Sequence, residues 1–374
     1  MKLVDFGSHL QHYIDPIPSF SISIHRSFAM KFFALTAIAS LANAVSLDFN
    51  KRDSTLDVKL ELTGNTEVKA SITNTGSEDL KVLKTGSFLD EAAVEKVSIF
   101  QGSSKVAFEG VKLRVNVADL SDDAFQVIAV GKTVEASFDI AIAHDLGAGG
   151  AFDIVSTGTL NVAAADSTEL TSVVSYSSNT ISATVDGAAA EKVRRNFKRA
   201  IVQSDCTGTR RTATTTALSN CRSLAAAAAS AAVSNSAKLN EYFKSTSSSV
   251  ASQVQAAFTR SASECGSSTS GNSRYYCTDQ YGYCSSNVLA YTIPSLSVMV
   301  NCGIYFTALP ALTRSCHAQD QATTTLHETM HLTSVQGADD LGYGYTNARQ
   351  LTTAQALNNA DSFALFANAI YAGC

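Results

Sequence analysis

The chain has 374 residues, 45% hydrophobic and 16% charged, which is enough apolar material for one or two substantial cores. Its formal charge of −5 gives no electrostatic reason to expect a nucleic-acid partner. That charge is uneven: beyond Ala200 nine Lys and Arg balance nine Asp and Glu, so the first half holds the whole acidic excess.

The first recognisable element is MKFFALTAIASLANA, Met30 to Ala44. A basic start, a short apolar run and a small-residue ending predict a secretory signal, too short to span a membrane. Its position places the expected start at Met30, with residues 1–29 an upstream extension of the reading frame. No other stretch is long and apolar enough for a bilayer, so the protein is expected to be exported and free of the membrane.

From about Leu56 to Val185 the runs LDVKLELTGN, VKASITNTGS, VEKVSIFQGS and VEASFDIAIA alternate apolar and polar residues. Period two, broken every ten or so residues by Gly, Asn and Ser, predicts an all-β sandwich over a domain bounded by residues 45 and 199. His144 is the only histidine of this region and reads as an ordinary packed or surface residue.

The joint, GAAAEKVRRNFKRAIVQSDC, carries the basic pairs Arg194-Arg195 and Lys198-Arg199. A solvated charge run is the plainer reading of such a stretch. Its coincidence with an abrupt change in composition favours cleavage after Arg199 by a dibasic-specific processing protease. The product would be a domain of residues 200–374.

Beyond the joint the texture is helical. TALSNCRSLAAAAASAAVSNSAKLNEYF is rich in helix formers and lacks Gly and Pro, which predicts helical structure. A loop follows from about Gly266 to Ser286, then strand-like NVLAYTIP and VMVNCGIYF. Two helices, around Asp320–Leu332 and Thr353–Tyr371, finish the chain. All eight cysteines lie between Cys206 and Cys374, with no CxxC pair among them. An even set confined to one region predicts disulfides formed in an oxidising compartment.

The chemistry sits in LHETMHLTSVQGADDLGYGY, Leu326 to Tyr345. On a helix, residues i and i+4 share a face, so His327 and His331 can bind one ion with Glu328 beside it as general base. A catalytic zinc needs a third protein ligand and an open position. Neither histidine nor glutamate occurs after His331, and Cys374 is better used in a disulfide. Asp339, Asp340 and Asp361 remain. Asp361 shares a helical face with Leu357 and Leu365, so its carboxylate points inward and needs a partner. A hydrogen bond to a ligand histidine or a site tyrosine would supply one. Direct ligation and an exposed helical aspartate are the other readings.

HETMH, GADDLGYG and the tail ALNNADSFALFANAIYAGC resemble deuterolysin, the fungal neutral protease 2 of the aspzincin family. That family's GT-x-D-x-x-Y-G signature maps onto Gly337, Ala338, Asp340, Tyr343 and Gly344, with Ala338 in place of the usual Thr. The resemblance covers Cys206 to Cys374 and extends to the layout of signal, β-rich propeptide and dibasic junction. It implies a secreted Zn2+ metalloendopeptidase with one zinc per catalytic domain, held by His327, His331 and Asp340. Glu328 would move the proton and Tyr343 would donate to the oxyanion; Tyr305 is a weaker candidate of that kind. The implied fold class is α+β, zincin-type: a mainly helical catalytic domain with a small sheet, preceded by an all-β sandwich-like propeptide. Implied partners are protein and peptide substrates, with basic proteins such as histones and protamines favoured in the family, and the chain's own propeptide. The protein is otherwise expected to be a monomer.

The family pattern further implies the bridges Cys206–Cys277, Cys284–Cys302 and Cys316–Cys374, leaving Cys221 and Cys265 to pair by elimination. A secreted zinc-binding module that keeps the fold without turnover is the rival reading, and retention of Glu328 argues against it. With no cysteine before residue 200, latency cannot use a thiolate on zinc. It would need steric cover of the cleft or a weaker ligand such as His144 or a carboxylate.

Overall fold

Alternation in the first half produces strands with one buried edge. In Leu56–Leu62, Leu56, Val58 and Leu60 are buried while Asp57, Lys59 and Glu61 face solvent, as expected for a half-buried strand. This computed structural model describes residues 54–193, 204–266, 268 and 271–374. The export signal, residues 1–29 and the Lys198-Arg199 pair lie outside the described residues.

Three antiparallel sheets form from the first half, and many of their inward residues share one core. The strand Glu67–Asn74 lies between Leu56–Leu62 and Thr133–Asp139. A second sheet orders Leu170–Ser177, Thr157–Ala163, Leu80–Leu83 and Phe125–Ile128. A third orders Ile181–Val185, Gly150–Val155, Ser98–Gln101 and Ser104–Lys105. Val58, Ile72, Val82, Ile99, Ile154 and Leu160 meet between them.

The fourth sheet belongs to both halves. Its order is Arg274–Tyr276, Val298–Asn301, Val288–Ile293 and then Lys112–Val115, a strand from the first half. Lys112–Val115 runs antiparallel to Val288–Ile293, with Val115 opposite Val288 and Lys112 opposite Thr292. All four of its residues are buried. Leu113 joins a core with Tyr276, Tyr291 and Val300, and Val115 joins one with Leu83, Phe125 and Tyr343. Burying such a side chain stabilises by about 1.5–3 kcal/mol. The change of composition at residue 200 therefore does not divide the molecule into two separately packed bodies, and Lys51–Cys374 forms one compact unit.

The second half carries eight α-helices among the described residues. The long Ala-rich helix ends at Ser234, and a new one runs Ser236–Phe243. Asn235 makes the break: its side chain accepts from the N–H of Lys238 and caps the second helix, a role that competes with continuing the first. VMVNCGIYF is likewise split. Val298–Asn301 is strand, and Gly303–Ala308 is helix. The expected terminal helix is two, Thr353–Leu357 and Ala360–Ala372, interrupted at Asn358 and Asn359. The eight cysteines form Cys206–Cys277, Cys221–Cys265, Cys284–Cys302 and Cys316–Cys374. Among the described residues no helix is long and apolar enough to cross a membrane.

Candidate metal and catalytic site

The site is built on the helix Gln321–His331, every residue of which is buried. Asp320 starts it: its carboxylate accepts from the Thr323 N–H at 2.7 Å, and the Thr323 hydroxyl closes a reciprocal capping box. Thr325 and Thr329 would be costly on a buried helix without partners. Thr325 meets the Tyr305 hydroxyl at 3.1 Å, and Thr329 meets Ser261 at 2.7 Å. Tyr305 thus packs against the back of the helix, where its hydroxyl also donates to the Gln321 carbonyl.

One turn apart, His327 and His331 bring their Nε2 atoms to 3.1 Å. The Nδ1–H of His331 donates to the Ala338 carbonyl at 2.8 Å, which leaves Nε2 with its lone pair free. The Asp340 carboxylate faces both rings, with Oδ1 3.1 Å from His327 Nε2 and Oδ2 3.3 Å from His331 Nε2. Donors 2.0–2.1 Å from a tetrahedral ion stand about 3.3 Å apart. With one ligand atom from each residue the three donors lie within 4.8 Å of one another, close enough to converge on one ion. The buried Oδ1 of Asp340 and Oε1 of Glu328 carry no hydrogen bond, and buried carboxylate oxygens call for a counter-charge. Among the described residues His327, His331 and Asp340 are the one cluster of this kind. Burial pushes the His331 imidazole down to about 4, which favours the neutral form that ligates metals.

A hairpin in the chain supplies Asp340. Gly337 adopts φ +64°, turning the backbone after the helix so that Ala338 N–H donates to the Met330 carbonyl. Asp339 then pairs by its backbone with the break before the last helix: its N–H donates to Asn358 O, and Ala360 N–H donates to Asp339 O. The Asn359 side chain accepts from the N–H groups of Leu341 and Gly342 and donates to the Gly342 carbonyl. The broken helix therefore fixes the loop that aims Asp340.

Glu328 points to the strand Val288–Ile293, where the Thr292 hydroxyl donates to Oε2 at 2.5 Å. Burial raises its carboxyl to about 7. Asp361 is 1% exposed and is not a member of the metal cluster. Its Oδ2 accepts from the Gly344 N–H at 2.6 Å, and Oδ1 pairs with the Arg114 guanidinium. Burial alone would raise this carboxyl, but Arg114, His327 and the Gly344 N–H together outweigh it and hold the group well below the usual carboxylate range. Oδ1 is 3.6 Å from His327 Nδ1, while Arg114 Nη1 stands 2.9 Å from the same nitrogen. Tyr343 is buried beside the cluster, its hydroxyl donating to the Leu113 carbonyl at 2.7 Å.

His144 lies apart from this cluster, with Nδ1 on the Ile140 carbonyl and the ring against Phe108. The first half therefore reaches the site with a basic side chain, Arg114, and neither with His144 nor with a carboxylate. Sequence reasoning missed Arg114, Thr292 and Asn359. The Asn358-Asn359 pair was a usable signal, since adjacent asparagines favour a helix break. Arg114 and Thr292 sit inside ordinary strand patterns and give none.

A helix-borne histidine pair, a carboxylate donor on the following loop and a buried glutamate define a metal-dependent peptidase. The pattern of the deuterolysin metalloprotease (M35) family matches residues 30–374, and the chain belongs to that family. A neutral protease 2 homolog of Phaeosphaeria nodorum is 57% identical over 92% of this chain and 100% of its own length. One from Colletotrichum graminicola is 51% identical over 92% and 100%, and one from Pyricularia oryzae 54% identical over 90% and 97%. A solved zinc peptidase from Grifola frondosa aligns with 44% of this chain and 97% of its own, at 26% identity and a TM-score of 0.38. The protein is a zinc metalloendopeptidase, and proteins or peptides are its substrates.

Proposed function

We propose that this is a secreted endopeptidase made as a precursor, in which residues 45–199 are a removable propeptide and residues 200–374 the mature enzyme. His327, His331 and Asp340 hold the zinc, which supplies Lewis-acid polarisation of the scissile carbonyl and the attacking water. Glu328 takes the proton from that water and passes it to the leaving amine, which suits a carboxyl raised to about 7. Tyr343 donates its hydroxyl to the oxygen of the tetrahedral intermediate. Asp361 accepts from His327 Nδ1 once Arg114 is gone, orienting the ring for ligation. The observation that carries this reading is the meeting of the two imidazole Nε2 atoms at 3.1 Å with the Asp340 carboxylate, whose Oδ1 is 3.1 Å from one and Oδ2 3.3 Å from the other.

The disulfides fit an oxidising compartment and support export. Cleavage after Arg199, a monomeric state and a preference for basic proteins such as histones and protamines belong to the same reading. It is tested by the zinc content and casein hydrolysis of the secreted protein, native against Glu328→Gln. Equal activity in the two would overturn it and leave Glu328 without a role.

A further inference from the structure

The strand Lys112–Val115 does more than close a sheet. It lies antiparallel along Val288–Ile293, the strand whose Thr292 holds Glu328. The Leu113 carbonyl accepts from the Tyr343 hydroxyl, the group that in the proposed mechanism receives the scissile carbonyl oxygen. The next residue, Arg114, is 2% exposed and sends its guanidinium to Asp361 and His327. Two residues earlier, on the same face, Lys112 bonds Asp339 at 2.6 Å, beside the ligand Asp340, and Glu95 at 2.7 Å. On the opposite face Leu113 and Val115 fill apolar clusters shared with the second half. Gln319 clamps the far end, donating to the Val115 carbonyl and accepting from the Val117 N–H.

Extended peptides that add to a sheet edge gain affinity from the backbone and selectivity from alternate side chains. Every residue of this segment is engaged in one of those two ways. We infer that Lys112–Val115 is an internal, substrate-like inhibitor strand, with the Leu113 carbonyl seated where a scissile carbonyl is held and Arg114 as its anchor. The inference rests on the proposed reading of the cleft and names what keeps the precursor latent. The anchor is selective because a buried guanidinium needs a buried acid, and Asp361 is already built into the site. The pairing also occupies the carboxylate that His327 would otherwise use, so the cover engages both the substrate path and a partner of the metal ligand.

The test uses the full chain with its joint made uncleavable by Lys198→Ala and Arg199→Ala, alongside the same chain carrying Arg114→Gln. Val127→Ser, at an exposed site in the same half, is the control. Three quantities are read: turnover of a short fluorogenic peptide, the rate at which 1,10-phenanthroline removes zinc, and hydrogen exchange at the amides of Lys112–Val115. Arg114→Gln is expected to raise each at least tenfold over the parent, and the control to leave all three unchanged. A second arm does not depend on the variant folding. A peptide of residues 108–118, FEGVKLRVNVA, should inhibit the processed enzyme, and its Gln-for-Arg version should inhibit at least tenfold less. An active processed enzyme with no change on Arg114→Gln, or a peptide cleaved without inhibition, would overturn the inhibitor strand. A processed form that hydrolyses nothing would instead sink the proposed function.

Discussion

At Glu328 and its neighbours, charge is placed where burial would otherwise forbid it. Glu328 is fully buried and bonded to Thr292, so removing its acidity alone should leave the metal donors intact. Glu328→Gln is expected to keep zinc and lose activity by about 100- to 10,000-fold, the usual worth of a general acid–base group. Ala at His327, His331 or Asp340 should lose both. Zinc content of purified Asp340→Ala equal to the native protein would move the third ligand elsewhere. Thr292→Val tests the support beneath the base: it removes the donor to Oε2 without touching a metal donor. Turnover should fall about tenfold at unchanged zinc content, since a misplaced catalytic group costs rate and not ligation. The three motif residues were legible because i, i+4 spacing is a helix property. Asp340 was reached by elimination and resemblance, while Thr292 could not be read at all, because its partner lies 36 residues away in sequence.

At the scale of elements, the site depends on one helix start and one helix break. Asp320 at the start of the motif helix is a plain N-cap signal, and the helix begins one residue beyond it. The break at Asn358 and Asn359 was missed although the adjacent asparagines signal it, because the flanking sequence has helix-forming character and the pairing with Asp339 that fixes the break is not local. Strand positions in the first half follow from alternation. The partnership of Lys112–Val115 does not, since pairing across the joint leaves no local trace. The break makes a prediction of its own. Asn359→Ala strips the acceptor from the Leu341 and Gly342 amides, and leaving a buried donor unpaired costs about 1–3 kcal/mol. The loop that carries Asp340 should loosen. Thermal unfolding should come at lower temperature and zinc affinity should fall about 10- to 100-fold, the range for losing an outer support of a metal ligand. Unchanged affinity in a chelator competition would show that Asp340 is held by other contacts.

Over the whole molecule, the expected cleavage site and the observed packing act on different parts of the structure. Cutting after Arg199 severs a tether, but the two halves remain joined by a shared sheet, two mixed apolar clusters and the Arg114–Asp361 pair. None of those contacts runs through the joint. Severing a tether lowers the effective concentration of one half for the other without altering the contacts themselves. Nicking at Arg199 is therefore not expected to be sufficient for activity. Fresh nicked protein should elute from a sizing column as one particle of the precursor's size and remain nearly inactive. Activity should rise only as the first half is digested or diluted away, leaving a chain of about 175 residues that begins at Ala200, within the usual range for one domain. N-terminal sequencing of the active peak, with turnover followed against the disappearance of the first half, distinguishes the two steps. Full activity appearing at the rate of the Arg199 cut, with both halves still bound, would mean that Lys112–Val115 leaves the cleft as soon as the tether is gone. An uncut chain with undiminished proteolysis would make the first half a permanent domain.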